Sequence, residues 1–224
     1  MSSEMFSPVQ SVSEAKQIQE SLRTQVIIQD QFDIPHIIAG IDVALPQRGS
    51  LTRAAVVLLT YPDLILIETA IAEIPTQFPY IPNFLSFREI PAILKALESL
   101  QNQPDLIFCD GQGLAHPRRF GIACHLGVLL DKPTIGVAKS RLIGTHSAVP
   151  LEKGEWVPLW EHQERLGVVL RSRTKVKPLY ISPGHRISIE TAMDYVQKTL
   201  TRYRLPEPTR LADKLSKNPN ILLV

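Results

Sequence analysis

Two aspartates interrupt or end apolar runs in a way that invites metal chemistry. Asp42 lies inside Ile37-Ile38-Ala39-Gly40-Ile41-Asp42-Val43-Ala44, and Asp110 directly follows Leu106-Ile107-Phe108-Cys109. A bare carboxylate is costly to bury in a central strand. Two carboxylates that meet repel unless a cation joins them, and an all-oxygen ligand set selects a hard ion, magnesium with manganese as its substitute. Either aspartate alone reads more readily as a turn or helix cap. Glu89 adds a third acid, in a helical stretch between the two aspartate runs; alone, beside Arg88, it reads as a solvated ion-pair member.

The elements that must position these acids follow from periodicity and turn residues. Ser13–Arg23 reads as an amphipathic helix capped by Ser11 or Ser13. Ile37–Ala44, Arg53–Tyr61 and Leu64–Ile74 are β-rich runs separated by Pro46–Ser50 and Pro62-Asp63, which predicts an antiparallel meander. Pro79-Tyr80-Ile81-Pro82 is a stiff, extended connection, because each proline fixes its own φ and restricts the residue before it. A helix follows from about Asn83 to Leu100, then a strand at Asp105–Cys109, a helix at Arg118–Leu130 and a strand at Thr134–Val137.

Strand, helix, strand, helix, strand implies parallel pairing, and right-handed crossovers place Asp105–Cys109 beside Ile37–Ala44. Asp42 and Asp110 then meet near the carboxyl ends of their strands, where ligands gather in open α/β sheets. The expected fold is α/β, a ribonuclease-H-like mixed sheet of three antiparallel strands followed by βαβαβ, with flanking helices. Beyond Ser140 come a strand pair, Leu166–Arg171 and Pro178–Ile181, and a helix from Ser188 to about Tyr203. Residues 1–224 read as one domain.

Composition narrows the function classes. The 224 residues are 44% hydrophobic and 21% charged, ordinary for a globular chain with a sizeable core. Cys109 and Cys124 lack CxxC spacing and read as reduced core residues. No apolar run approaches the roughly 18 residues of a membrane span, and Met1–Ser13 lacks a basic-then-apolar signal pattern, so a cytoplasmic monomer without a membrane partner is the expectation. Residues 1–112 hold 6 Lys and Arg against 13 Asp and Glu, whereas residues 113–224 hold 18 against 9. That split favours a polyanionic partner, although solvation accounts for it about as well. Arg171, Arg173, Lys175 and Lys177 alternate like one face of a strand and could track phosphate.

Several short motifs occur in one collinear series: Gly40–Ala44, Pro79–Pro82, Phe87-Arg88-Glu89, Asp110-Gly111-Gln112-Gly113, Ala115–Gly121, Gly136–Ser140 and Pro208–Asp213. Together they resemble the endonuclease V family from about residue 13 to residue 215. The resemblance implies metal-assisted hydrolysis on the 3′ side of a deaminated purine, chiefly hypoxanthine, the base of inosine. The cut falls at the second phosphodiester and leaves 3′-hydroxyl and 5′-phosphate ends. DNA repair is the implied role, with inosine-containing RNA as the other substrate.

Residue by residue, Asp42, Glu89 and Asp110 match the family's metal-binding acids. Asp213 matches a fourth position that holds a second metal or orients the attacking water. Lys139 matches a lysine near the metal, where an ammonium neutralises phosphate charge; by itself it reads as a surface lysine. Tyr80 matches a wedge that opens the duplex beside the target base, the alternative being a packed loop tyrosine. Gly111 and Gly113 match positions where backbone reads a flipped base, with Leu85 and Ile122 as neighbouring contacts; the alternative is tight-turn glycines.

His116 and Arg118-Arg119 flank the expected start of a helix, whose amides suit a phosphate, although His116 equally reads as a hydrogen bonder at a helix start. His125 reads as a satisfied core histidine. Asn83 departs from the family's usual glycine after Pro82, where it lines the base pocket; asparagine tolerates left-handed geometry. Beside these readings stand a ribonuclease-H-like protein that binds without cutting, an RNA-directed relative, and a scaffold for which the cation is only a folding ligand.

Overall fold

The apolar runs assemble into a mixed sheet of eight strands in the computed structural model, which describes residue 9 and residues 11–222. Residues 1–8, most of the segment read as lacking a signal pattern, lie outside the described residues. Helix α1 spans Val12–Leu22, and of the two candidate caps Ser11 is the one used: its hydroxyl accepts the Glu14 N–H at 3.1 Å. Strands β1 (Ile37–Ala44), β2 (Leu51–Thr60) and β3 (Leu66–Pro75) form the anticipated antiparallel meander.

Helix α2 (Leu85–Glu98) leads to β4 (Leu106–Cys109), which pairs parallel to β1 with Ile38 opposite Leu106 and Ile41 opposite Cys109. Helix α3 (Ile122–Leu130) leads to β5 (Thr134–Ala138), parallel to β4. Three further strands, β6 (Trp156–Glu161), β7 (Glu164–Leu170) and β8 (Leu179–His185), complete the sheet in the order β3-β2-β1-β4-β5-β8-β7-β6. Helices α4 (Ile189–Lys198) and α5 (Glu207–Lys217) follow. This is the ribonuclease-H-like α/β arrangement expected. No helix among the described residues is long and apolar enough to cross a membrane.

The differences from the expected elements have local causes. Helix α3 starts at Ile122, not Arg118, because Arg119 has φ +56° and Gly121 is extended at the N-cap. Strand β6 was not anticipated; its Pro158 is tolerated because β6 is an edge strand. Helix α5 was missed too, with Pro208 in its first turn, where a missing N–H costs nothing. The stretch after Leu170 is loop rather than strand. Arg171 there is buried and donates to the carbonyls of Val149, Pro150 and Val176, so it staples two loops instead of belonging to a phosphate-tracking face.

Alternation along β1 decides which side-chain chemistry lies on which face. Ala39 and Ile41 pack with Ile90 and Ile93 of α2, whereas Ile38 packs with Leu211 and Leu215 of α5. Gly40 and Asp42 therefore share the α5 face. A Cβ at Gly40 would lie 2.0 Å from the Pro208 carbonyl oxygen, so this glycine lets the start of α5 rest directly on β1. The helix then carries Asp213 and Ser216 toward Asp42. Replacing Gly40 by Ala forces backbone against backbone, and we expect a loss of about 1–3 kcal/mol of stability by calorimetry. An unchanged melting temperature would contradict this seating of α5.

Candidate metal centre and nucleic-acid pocket

The parallel register of β1 and β4 brings their ends together, and the Asp110 N–H donates to the Ile41 carbonyl at 3.0 Å. Asp42 and Asp110 are thereby neighbours, with carboxylate oxygens within 4.8 Å of each other. Asp213 arrives from α5. One carboxylate oxygen from each of the three lies within 4.8 Å of the others. Ser216, also on α5, donates its hydroxyl to Asp42 Oδ2. Lys139, at the end of β5, places its Nζ on Asp110 Oδ2 and, at 2.6 Å, on Asp213 Oδ1. Lys217 donates to both Asp213 oxygens, Oδ1 at 2.8 Å and Oδ2 at 2.7 Å.

Geometry thus groups Asp213, rather than Glu89, with the two strand aspartates. Glu89 is buried on α2, which packs on the opposite face of the sheet from α5. It nonetheless sits in their field: burial first, then Asp42 and Asp110, push its carboxyl well above the usual range, with Arg88 opposing. Burial and Asp110 likewise push Asp42 up to about 7, against the pull of Ser216 and Lys139. Burial would also raise Asp213, but Lys139 and Lys217 hold it below its ordinary value. Burial would weaken the Lys139 ammonium, yet Asp110 and Asp213 hold it above the usual lysine range.

These residues fit a hard divalent ion. The donors are all oxygens, the three acids are mostly buried, and the Lys139 ammonium already bridges two of the three carboxylates as a cation would.

A cavity of about 360 Å³ opens beside the acids, with Asp110 and Lys139 in its wall. Tyr80, 67% exposed, stands at its rim, and Asn83, Leu85, Gly111 and Ile122 line it. A Cβ on Gly111 would lie 2.7 Å from Ile122 Cγ2, so the wall there is bare backbone. Gly113 is not on that wall. Its N–H goes to Ser182 Oγ at 2.9 Å, its carbonyl accepts from Gly121, and a Cβ would lie 2.2 Å from the Pro183 carbonyl oxygen. It is a close-packing position, which corrects the expectation that its backbone faces a ligand.

Asn83 has φ +69°, the left-handed geometry its side chain tolerates. Its carbonyl accepts from Gln19 Nε2 at 3.0 Å, His116 Nε2 at 3.1 Å and an Arg118 terminal nitrogen at 3.0 Å. His116 Nδ1 accepts the Arg118 N–H, so the ring is neutral, and burial with Arg118 beside it depresses its pKa to about 4. The Arg118 guanidinium also bonds Gln19 and lies 4.3 Å from the Phe84 ring centre. His116 and Arg118 therefore brace the loop before α2; the helix start they were expected to flank lies beyond them, at Ile122. His125 is a core residue as expected, with Nδ1 3.0 Å from Ser86 Oγ, and both cysteines are free and buried.

Sequence reasoning missed Ser216, Lys217 and Arg204, whose guanidinium fixes the Lys139 carbonyl at 2.7 Å. The i+3 and i+4 spacing of Ser216 and Lys217 from Asp213 was the available signal, legible only once α5 is recognised as a helix.

The endonuclease V family model matches residues 20–214. The chain belongs to the endonuclease V family. Endonuclease V of Rippkaea orientalis is 61% identical over 95% of this chain and 93% of its own length. Among solved structures, endonuclease V of Streptomyces avermitilis superposes with a TM-score of 0.89 at 39% identity, covering 95% of this chain and 94% of that one. Ciona intestinalis endonuclease V, in complex with a 24mer DNA containing an inosine followed by a ribo-adenosine, gives a TM-score of 0.83 at 31% identity, covering 93% and 97%. Membership makes the chain a nuclease, and Asp42 and Glu89, the two carboxyls raised by burial among the described residues, lie in and beside the acid cluster.

Those shifts have a thermodynamic sign. Asp42 moves from an ordinary 3.8 up to about 7, so its protonated form is favoured by the fold. That contribution is complete below about pH 3.8 and is lost as pH rises through 7. A cation needs the deprotonated form. We expect the metal-free melting temperature of the protein to fall between pH 5 and 8, and magnesium to raise it more at pH 8 than at pH 5. Calorimetry in magnesium and in chelator measures both, and Asp42→Asn should flatten the slope. Equal magnesium shifts at both pH values would contradict competition between proton and cation.

Proposed function

We propose that the chain hydrolyses nucleic acid at the second phosphodiester 3′ to a deaminated base, chiefly hypoxanthine, leaving 3′-hydroxyl and 5′-phosphate ends in DNA repair. The observation that carries this reading is the sharing of Asp110 and Lys139 between the acid cluster and the wall of the 360 Å³ cavity. The inosine-containing strand bound by the Ciona relative supports the choice of base, and its ribo-adenosine supports including RNA among the substrates.

Asp42, Asp110 and Asp213 would hold magnesium, or manganese in its place, with Glu89 as the further acid within the same field. When bound, such an ion supplies Lewis acidity toward phosphate oxygens and acidifies water. The chain's own residues do the rest. Lys139 offers its ammonium to the scissile phosphate in exchange for the carboxylates, neutralising charge where it develops. Asp213 orients the attacking water, and Ser216 keeps Asp42 turned toward the cluster. Tyr80 stands between the strands once the target base has left the stack, while Asn83, Leu85, Gly111 and Ile122 enclose that base.

A nicking assay on inosine-containing and undamaged strands of DNA and RNA, in magnesium and in chelator, tests the reading. Only inosine strands in magnesium should be cut. Asp110→Asn should abolish cutting while keeping the fold and measurable binding; near wild-type rates from that variant would sink the proposed site.

Tyr80→Ala removes base–aromatic stacking of roughly 1–3 kcal/mol, so affinity for an inosine duplex should fall about 5- to 150-fold. Single strands should lose less. Proportionate loss on both, with a lower melting temperature, would mean that Tyr80 only supports its loop.

A further inference from the structure

A second concave site lies on α5, away from the cavity that Tyr80 overhangs. The α4–α5 connection and α5 border an open depression of about 450 Å³ lined by Thr201, Arg202, Tyr203, Glu207, Arg210 and Lys214. Its charge is unbalanced, with three cationic side chains against one carboxylate. The guanidinium groups of Arg202 and Arg210 lie 5.0 and 4.3 Å from the centre of the Tyr203 ring. Arg202 also donates to the Tyr203 hydroxyl at 2.9 Å, and Arg210 is tied to Glu207, which Thr201 further engages at 3.1 Å. Arg210 is thus held in place by Glu207 before any ligand arrives, which lowers the entropic cost of binding. Arg202 and Lys214 are exposed. Among the hydrogen bonds and ion pairs of the described residues, Arg202 engages a neutral hydroxyl.

The position of this site says what it binds. Lys214 follows Asp213 in the helix, and Arg210 lies three residues before Asp213, about 4.5 Å along the axis. The two sites are therefore joined by one short stretch of α5, within reach of a single strand that has one phosphate at the acid cluster. We propose that this groove on α5 is a second nucleic-acid contact, gripping the phosphodiester backbone of the strand being cut at a phosphate remote from the scissile one. The proposal rests on the reading of the acid cluster as the cutting site. Backbone contacts carry no sequence information, so the groove should act alike on inosine and undamaged strands.

The test is a salt titration of binding in chelator, using inosine-containing and undamaged single strands of one length and a series shortened from each end. Removing two cations, as Arg202→Gln with Lys214→Gln, should reduce the slope of log affinity against log salt by about 1.4 on long strands. The deficit should vanish once the flank that reaches α5 is removed from one end. Arg202→Lys with Lys214→Arg should keep the wild-type slope, and all variants should melt as wild type does. An unchanged slope on long strands overturns the proposal, as does a deficit that persists on the shortest strands. Failure of wild type to nick inosine strands would overturn the nuclease reading alone, because the slope change on undamaged strands is measured independently of cutting.

Discussion

Three carboxylates cannot share a mostly buried space without a positive charge among them, and much of the fold answers to that constraint. Oxygens of Asp42, Asp110 and Asp213 come within 4.8 Å of one another, and Glu89 presses on the same field from behind the sheet. Lys139 and Lys217 neutralise part of this charge, and the carboxyl of Asp42 is pushed toward its protonated form to relieve more. Such crowding is not explained by stability, since paired buried charges contribute little to it. It suits a set of carboxylate oxygens that could hold a metal ion.

What holds the acids in place is a division of labour between register and contact. The parallel pairing of β1 with β4 sets Asp42 beside Asp110 through backbone hydrogen bonds alone, so that relation survives changes of side chain nearby. Asp213 depends instead on a helix lying flat against a strand, which Gly40 permits by having nothing to interpose. One half of the centre is therefore built from the most ordered part of the sheet. The other half is docked onto it from the far end of the chain.

The same division explains what could be read from the sequence. Apolar runs and the crossover rule predicted β1, β4 and their neighbourhood, and with them the meeting of Asp42 and Asp110. Asp213 was recoverable only through family resemblance, because α5 opens on a proline, is mostly polar, and owes its position to packing some 170 residues away in sequence. Glu89 was legible as helical, but nothing local says on which face of a sheet a helix will lie. His116 and Arg118 were placed at a helix start because the positive φ of Arg119 leaves no mark on periodicity. Gly113 looked like its neighbour Gly111, and only the Pro183 carbonyl oxygen against it shows that it faces the interior.

The carbonyl of Asn83 receives donors from α1, from His116 and from Arg118, and it lies three residues beyond Tyr80. A loop anchored at one such point, with prolines on both sides of its aromatic residue, behaves as a stiff post rather than a hinge. Its ordering is settled during folding, so a strand that meets Tyr80 does not have to immobilise it first. A push on the ring is borne by α1 and by the segment running into α3, two elements that share no strand with it. In mechanical terms the rim of the cavity is buttressed, and the helix α1 is the abutment.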